Sequence, residues 1–284
     1  MAIRYPRGRE RTYELVPWDR LLTKGEVMEK YDKADSTITR LIKQGVLREG
    51  IDCFRAGNNW IFDTKRLDFI FNEPKEDVLK REKELNKKLK EVPDIDKYSK
   101  EQKARIKFVL EDGSDLKPIL NPDYKVSEMK EIIIGLLHNI DVSVYAKPCF
   151  DAIQMEFIRK GLEDGLDVSL YANPEISSNK MYHLYSIARK GVDIAEFCKE
   201  EYDSWVLSSY HFYIGLGYPI DKYADPKYNY DMVSFVGFIL MNDGDPSKLK
   251  GVYLEKQDIS RLDALRKDYN EFDKELDLIL EKYR

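Results

Sequence analysis

The chain has 284 residues, of which 35% are charged and 43% hydrophobic, and its net charge is −5. Its 19 Tyr and 12 Phe exclude a disordered chain, and the acidic balance argues against a protein that coats nucleic acid along its whole length. The three Cys are well separated, so neither a disulfide framework nor a Cys-based zinc site is expected. Because we find no signal-peptide pattern and no apolar run of about 20 residues, we expect a cytoplasmic protein with no membrane partner.

Residues 21–71 predict two short helices followed by a β-hairpin. Thr23 and Glu26 form a capping-box pattern that opens a helix with Val27 and Tyr31 on its inner face. A second helix is expected after "DKAD", and "CFRAGNNWIF" predicts two strands around a Gly-Asn-Asn turn. The apolar side of the second helix consists of Ile38, Leu41 and Ile42.

This segment resembles the winged-helix DNA-binding domain of excisionases and MerR-type regulators. The matching stretches are "LLTKGEVMEKY", "STITRLIKQGVL" and "FRAGNNWIFDTKRLD". The resemblance implies that the second helix enters the major groove of double-stranded DNA, and that the hairpin, or wing, reaches neighbouring phosphates or the minor groove. The DNA-binding residues that it implies are Ser36, Thr37, Thr39, Arg40, Lys43, Arg55, Asn58 and Asn59.

Within this set, Arg40 is the candidate for reading a guanine edge, and Ser36, Thr37 and Lys43 suit phosphate contacts. The basic stretch "RYPRGRER" near the N-terminus is either an arm that tracks the DNA backbone or a tail without a DNA role. Residues 1–72 hold 14 Lys and Arg against 11 Asp and Glu, a net of +3. Because this surplus is small, a winged helix used for protein contacts is the alternative.

A 26-residue period runs through residues 99–254, as in "GLLHNIDVSVYAKPCF" and "GLEDGLDVSLYANPEI". Each unit is expected to be a helix of about ten residues, a left-handed stop, and a second short helix opened by Asp and ended by Pro. Because neither helix buries its apolar face alone, we expect about six units to stack as an all-α tandem-repeat array. The predicted stops are Gly113, Asn139, Gly165, Gly191 and Gly217.

The units resemble "GLDVSLYAxP" repeats of uncharacterised proteins from Gram-positive bacteria and mobile elements, a resemblance that implies a module and no activity. The Asp that recurs in phase is either a helix cap or part of an acidic surface that mimics phosphates, and capping is favoured. The in-phase Tyr is interpreted as core rather than as a ligand platform.

Two charged stretches flank the repeats. Residues 74–93 predict a solvated helical connector. The tail has a heptad stripe that indicates either a coiled coil, and hence a homodimer, or a cap on the last repeat. The stripe consists of Leu262, Leu265, Tyr269, Phe272, Leu276, Ile279 and Tyr283.

The sequence therefore predicts a mainly α fold in four segments. These are a winged helix-turn-helix domain with a small β wing and a basic arm (1–72), a charged connector (73–98), six helical repeats (99–254) and a C-terminal heptad helix (255–284). No nucleotide-binding, nucleophile or metal-ligand motif appears, so no enzyme, cofactor, metal site or catalytic residue is predicted. His138, His183 and His211 fall at different repeat phases and are not expected to converge.

Two functions fit this layout. The first is a sequence-specific regulator, antitoxin-like or encoded by a phage or mobile element, that binds double-stranded DNA through its N-terminal domain and an unidentified protein through residues 99–254. The second is a non-enzymatic inhibitor of a host or defence nuclease that acts through the acidic repeats.

Overall fold

The computed structural model describes residues 21–43, 46–47, 52–56, 59–72 and 75–283. The chain divides into two compact units, 1–148 and 149–284, each of which is described by itself. The described part is mainly helical, with one small antiparallel sheet, as the sequence predicts. The unit boundary falls inside the predicted repeat segment, and the bounds of the four predicted segments stay predictions.

The first unit begins with a three-stranded sheet in which β3 lies between β1 and β2. The hairpin was expected, whereas β1 was not; its Thr23 pairs with Ile61 of β3. The elements are β1 (Leu21–Thr23), α1 (Lys24–Tyr31), α2 (Asp35–Lys43), β2 (Cys53–Ala56), β3 (Asn59–Asp63) and α3 (Thr64–Asn72). One apolar core joins them, and it includes Val27, Ile38, Leu47, Cys53, Phe62 and Leu67.

The first unit continues through three longer helices, α4 (Lys75–Lys90), α5 (Lys100–Asp112) and α6 (Val126–Leu137). Helix α4 confirms the helix predicted for the connector. Buried Arg66 on α3 links α3 to α4 and α5. Its guanidinium contacts Glu82 on α4 at 2.6 Å and Glu111 on α5 at 2.9 Å.

The described part of the second unit contains helices and turns, and α8 packs against α7 and α9, which in turn packs against α10. Its elements are α7 (Ala152–Glu163), α8 (Ser178–Ala188), α9 (Ser204–Gly215), α10 (Tyr230–Met241), α11 (Lys256–Asp263) and α12 (Tyr269–Leu280).

The helices follow the 26-residue period of the sequence. Seven of them begin exactly one period apart, at Lys100, Val126, Ala152, Ser178, Ser204, Tyr230 and Lys256. The residues predicted to stop the helices all have left-handed backbone conformations, with φ between 56° and 92°, at Gly113, Asn139, Gly165, Gly191 and Gly217. The prediction of left-handed caps is confirmed, and the period continues into the tail, which the sequence did not reveal.

The second helix predicted for each unit is wrong in length and type. It is a single 3₁₀ turn in four units, and a non-helical turn at 169–171 and 195–198. After Asp141 and Asp167, a Pro follows seven residues later, which leaves space for little more than one turn. The 3₁₀ turns are Lys117–Ile119, Val142–Val144, Ile220–Tyr223 and Pro246–Leu249.

The in-phase Asp residues are caps, as favoured. In Asp115, Asp141, Asp167, Asp193 and Asp245 a carboxylate oxygen accepts the backbone N–H two residues ahead, at 2.9–3.0 Å. The in-phase Tyr145 and Tyr171 are completely buried. Each hydroxyl lies beneath the preceding helix, where a Cβ at Gly135 or Gly161 would approach it within 2.0 Å. The interpretation of these Tyr as core is confirmed.

The predicted single C-terminal heptad helix is wrong, because the tail forms two helices, α11 and α12. Asp268 ends the connecting turn by accepting the N–H groups of Asn270 and Glu271, so it starts a new helix where the heptad pattern would continue the old one. Phe272 of the stripe packs on Phe235 and Phe238 of α10. These contacts favour the alternative in which the tail covers the last repeat.

Candidate nucleic-acid interface

The two N-terminal helices are fixed by local signals. Thr23 and Glu26 form the expected capping box: the Thr23 N–H donates to the Glu26 carboxylate at 2.7 Å. Helix α1 ends at Asp32, whose φ of 48° is left-handed and turns the chain towards α2. Val27 and Ile38 are completely buried, so the two helices face a common core.

Helix α2 turns a polar side to solvent. Ser36, Arg40 and Lys43 are exposed, and their spacing of four and seven residues from Ser36 places them on one side of the helix. Thr37 is half-buried. Arg40 and Lys43 therefore present two cations from one helix surface, which is the arrangement that phosphate and base-edge contacts require.

Thr39 has a partner inside the protein. Its hydroxyl donates to Asp35 at 3.2 Å and accepts from the Lys24 amino group at 3.1 Å, and Lys24 pairs with Asp35 at 2.5 Å. The hydrogen bond from Lys24 holds the pKa of the Asp35 carboxyl below its usual value. Thr39 thus positions α2 against α1. The positive charge of Lys24 also offsets the negative charge of Asp35 in the first turn of α2. Sequence reasoning missed this role of Lys24, because it depends on a contact across 15 residues.

The hairpin carries the remaining predicted residues. Arg55 on β2 lies opposite Trp60 on β3, with its guanidinium 4.6 Å from the centre of the Trp60 ring. Arg55 and Asn59 are exposed. Asn58 and the "RYPRGRER" arm lie outside the described residues. Trp60 and α2 both pack on the N-terminal core, so one core carries the helix and the hairpin.

Charge separates the two units. Residues 1–148 hold 30 Lys and Arg against 27 Asp and Glu, a net of +3, whereas residues 149–284 hold 17 against 25, a net of −8. The unit that contains α2 therefore has a small formal positive charge, and the other unit has a formal negative charge.

A histidine pair in the second unit was not expected from the sequence. His183 on α8 and His211 on α9 lie with their Nδ1 atoms 3.2 Å apart, which corrects the expectation that these residues do not converge. The residues are 28 positions apart, and packing of adjacent helices brings them together. Burial and the facing His211 lower the pKa of His183 to about 4, and burial with nearby Lys190 lowers the pKa of His211.

Neither a metal-binding group nor a membrane-spanning helix is found among the described residues. No group of three or more His, Cys, Asp or Glu in the part of the chain that the structure describes is arranged to hold a metal ion. Among the described helices, none combines the length and the apolar character needed to cross a membrane.

Comparison with known proteins gave no match to a protein-family model, to a curated protein or to a solved structure.

Proposed function

We propose that this chain is a sequence-specific DNA-binding regulator, with a winged helix-turn-helix in its first unit and protein-binding helical repeats. The observation that carries the proposal is the exposed side of α2, where Ser36, Arg40 and Lys43 stand on a helix whose opposite side is buried. The order strand, helix, helix, hairpin, helix supports a winged helix, in which α2 takes the place of the recognition helix.

Each residue has a distinct role in this proposal. Arg40 donates two hydrogen bonds to a guanine edge in the major groove, and Ser36, Thr37 and Lys43 contact flanking phosphates. Arg55, held over the Trp60 ring, reaches the backbone from the hairpin together with Asn59. Thr39 acts indirectly by fixing the start of α2.

The proposed regulator is antitoxin-like or serves a phage or mobile element, and its repeats bind a protein partner. Homodimerisation through the tail is a separate proposal. Because Phe272 and Leu276 are already buried within the second unit, a dimer would have to use other tail residues, such as exposed Leu278. Sedimentation of the wild type and of Leu278→Ser tests it.

Selection from a random duplex library tests the DNA-binding proposal. The full chain is expected to enrich a defined motif, and Arg40→Ala is expected to lose preference at a guanine in that motif while other positions keep theirs. Absence of any enriched motif for the wild type would contradict a sequence-specific regulator.

The second candidate, a nuclease inhibitor, is favoured by the net charge of −8 on residues 149–284. The in-phase Asp residues do not add to it, because capping already accounts for them. This candidate predicts no enriched DNA motif, together with a nuclease partner whose binding weakens as salt rises.

A further inference from the structure

Helix α9 has an apolar stripe that faces solvent. Trp205, Phe212 and Leu216 are 71%, 57% and 54% exposed. Phe212 and Leu216 follow Trp205 by seven and eleven residues, which places each within about 20° of Trp205 around the helix axis and extends the stripe over roughly 16 Å. Single exposed apolar side chains are common on protein surfaces, but several large ones in a row mark an interaction site.

Neighbouring helices widen this stripe. Tyr230 on α10 stacks on Trp205, with ring centres 5.7 Å apart, and Tyr182 on α8 packs edge-on against His211 of α9 at 5.4 Å. Both tyrosines are themselves about 40% exposed. We call the surface formed by Tyr182, Trp205, Phe212, Leu216 and Tyr230 the aromatic face.

The 26-residue period provides an internal comparison for the aromatic face. If the fold required an apolar residue at these positions, the other helices would carry one too. At the position of Leu216 the other helices have Asp112, His138, Asp164, Lys190, Asn242 and Asp268. At the position of Trp205 they have Glu101, Ser127, Ile153, Asn179, Asp231 and Gln257. At the position of Phe212 the other helices have Phe108, Ile134, Lys160, Ser186, Phe238 and Ala264. Apolar residues therefore recur at that position, but α9 alone has a large apolar residue at all three positions.

The surroundings of the aromatic face are acidic. Glu200, Glu201 and Asp203 immediately precede α9 and are exposed. Two cations lie near them. Lys180 is buried and its amino group donates to the Lys199 carbonyl at 2.5 Å, and the exposed amino group of Lys199 pairs with Glu196 at 2.5 Å. The start of the stripe thus combines exposed carboxylates with a large indole, in a unit whose net charge is −8.

We propose that the aromatic face is the docking surface for a basic amphipathic helix of a partner protein, whose apolar side covers Trp205, Phe212 and Leu216 and whose Lys or Arg side chains meet Glu200 and Glu201. The proposal rests on the protein-binding role given to the repeats above. An apolar groove or stripe with anchors at helical spacing is a recurring way to bind such helices, and acidic flanks select for basic partners.

A synthetic amphipathic peptide of Leu and Lys, about four helical turns long and fluorescein-labelled, tests the proposal with the full chain. Controls are the same peptide with every Lys replaced by Glu, and a scrambled peptide that has no apolar side. The Lys peptide is expected to bind, and Trp205→Ala with Phe212→Ala to weaken its binding by at least about tenfold. Leu79→Ala is the matched variant, since Leu79 is 60% exposed on α4 and is not part of the aromatic face.

Several outcomes would overturn this inference. They are no binding of the Lys peptide, equal binding of the Glu peptide, or unchanged binding by the double variant when its thermal melt matches the wild type. Self-association of the wild type that the double variant abolishes would also overturn it, since a second copy would then occupy the face. DNA binding is measured on the same proteins to distinguish the two proposals. If the peptide does not bind but DNA binding is intact, only the docking proposal is contradicted.

Discussion

The guanidinium of Arg66 on α3 donates to the carboxylate of Glu111 on α5 at 2.9 Å, from a side chain that is 7% exposed. A second carboxylate, Glu82 on α4, accepts from Arg66 at 2.6 Å and also from Lys107. Burial opposes ionisation of Glu82, but the hydrogen bonds from Lys107 and Arg66 hold the pKa of its carboxyl below the usual value. The network joins the sheet-bearing segment to the first helix of the 26-residue period.

Loss of Arg66 is expected to destabilise the first unit. Arg66→Ala leaves Glu82 and Glu111 without their shared cation, and breaking a buried ion pair on one side costs about 3 kcal/mol. Urea unfolding followed by circular dichroism measures the change. Arg40→Ala is the matched control, because exposed Arg40 should leave the free energy of unfolding unchanged. Equal midpoints for the two variants would contradict a structural role for the network.

The close contact between Gly161 and Tyr171 predicts the effect of adding one methyl group. A Cβ at Gly161 would lie 1.9 Å from the Tyr171 hydroxyl, whereas a Cβ at Gly215, also helical, meets nothing within 4 Å. Gly161→Ala should therefore destabilise the protein by about 2 kcal/mol through overpacking. Gly215→Ala should be neutral, or stabilising by up to about 1 kcal/mol. Thermal melts of the two variants measure the difference. Equal Tm values for Gly161→Ala and Gly215→Ala would contradict the close approach of the Tyr171 hydroxyl to Gly161.

Capping by the in-phase aspartates is testable at Asp167. Its carboxylate accepts hydrogen bonds from the side chain and the backbone of Ser169, which lower the pKa of the Asp167 carboxyl. Asp167→Ala should lower Tm by about 2–4 °C, whereas Glu175→Ala, which also removes an exposed carboxylate, should not. The difference should vanish in acid as Asp167 protonates. A Tm unchanged in Asp167→Ala would instead favour a surface role for these residues.

The histidine pair predicts a pH dependence. His183 has a pKa of about 4 in the folded chain, against about 6.5 when unfolded. Between these values the unfolded chain binds more protons, so stability falls as the pH drops from about 6.5 towards 4. The facing His211 opposes protonation of His183, and nearby Lys190 opposes protonation of His211, so both lower the pKa values of the pair.

His183→Asn should therefore show a smaller loss of Tm than the wild type between pH 7 and pH 5. Parallel pH profiles for His183→Asn and the wild type would show that His183 does not titrate in this window.

Local signals explain what the sequence could predict. The capping box of Thr23 and Glu26, the left-handed stop at Gly165 and the Asp167 cap each depend on residues within one turn, and all three are present. Periodicity also located the buried side of α2, because one helix face has to enter the core.

What the sequence missed depends on contacts between distant residues. Strand β1 exists because Leu22 pairs with Phe62, 40 positions away. The heptad pattern does not continue through the tail, because Asp268 starts α12 as a separate helix and Phe272 of α12 packs on Phe235 of α10. The pairing of His183 with His211 and the proximity of Lys24 to Asp35 likewise follow from packing of neighbouring helices rather than from spacing.

The central claim is that α2 reads duplex DNA, and fluorescence anisotropy tests it most directly. The probes are a duplex from the region upstream of the gene and a shuffled duplex. Each is titrated at several salt concentrations with wild type, Arg40→Ala and the control Lys87→Ala, which removes an exposed cation on α4. We expect saturable binding of the wild type that prefers the upstream duplex, a loss of about 1–3 kcal/mol in Arg40→Ala, and no loss of preference in Lys87→Ala. Equal affinity for both duplexes, unchanged in Arg40→Ala, would contradict the claim.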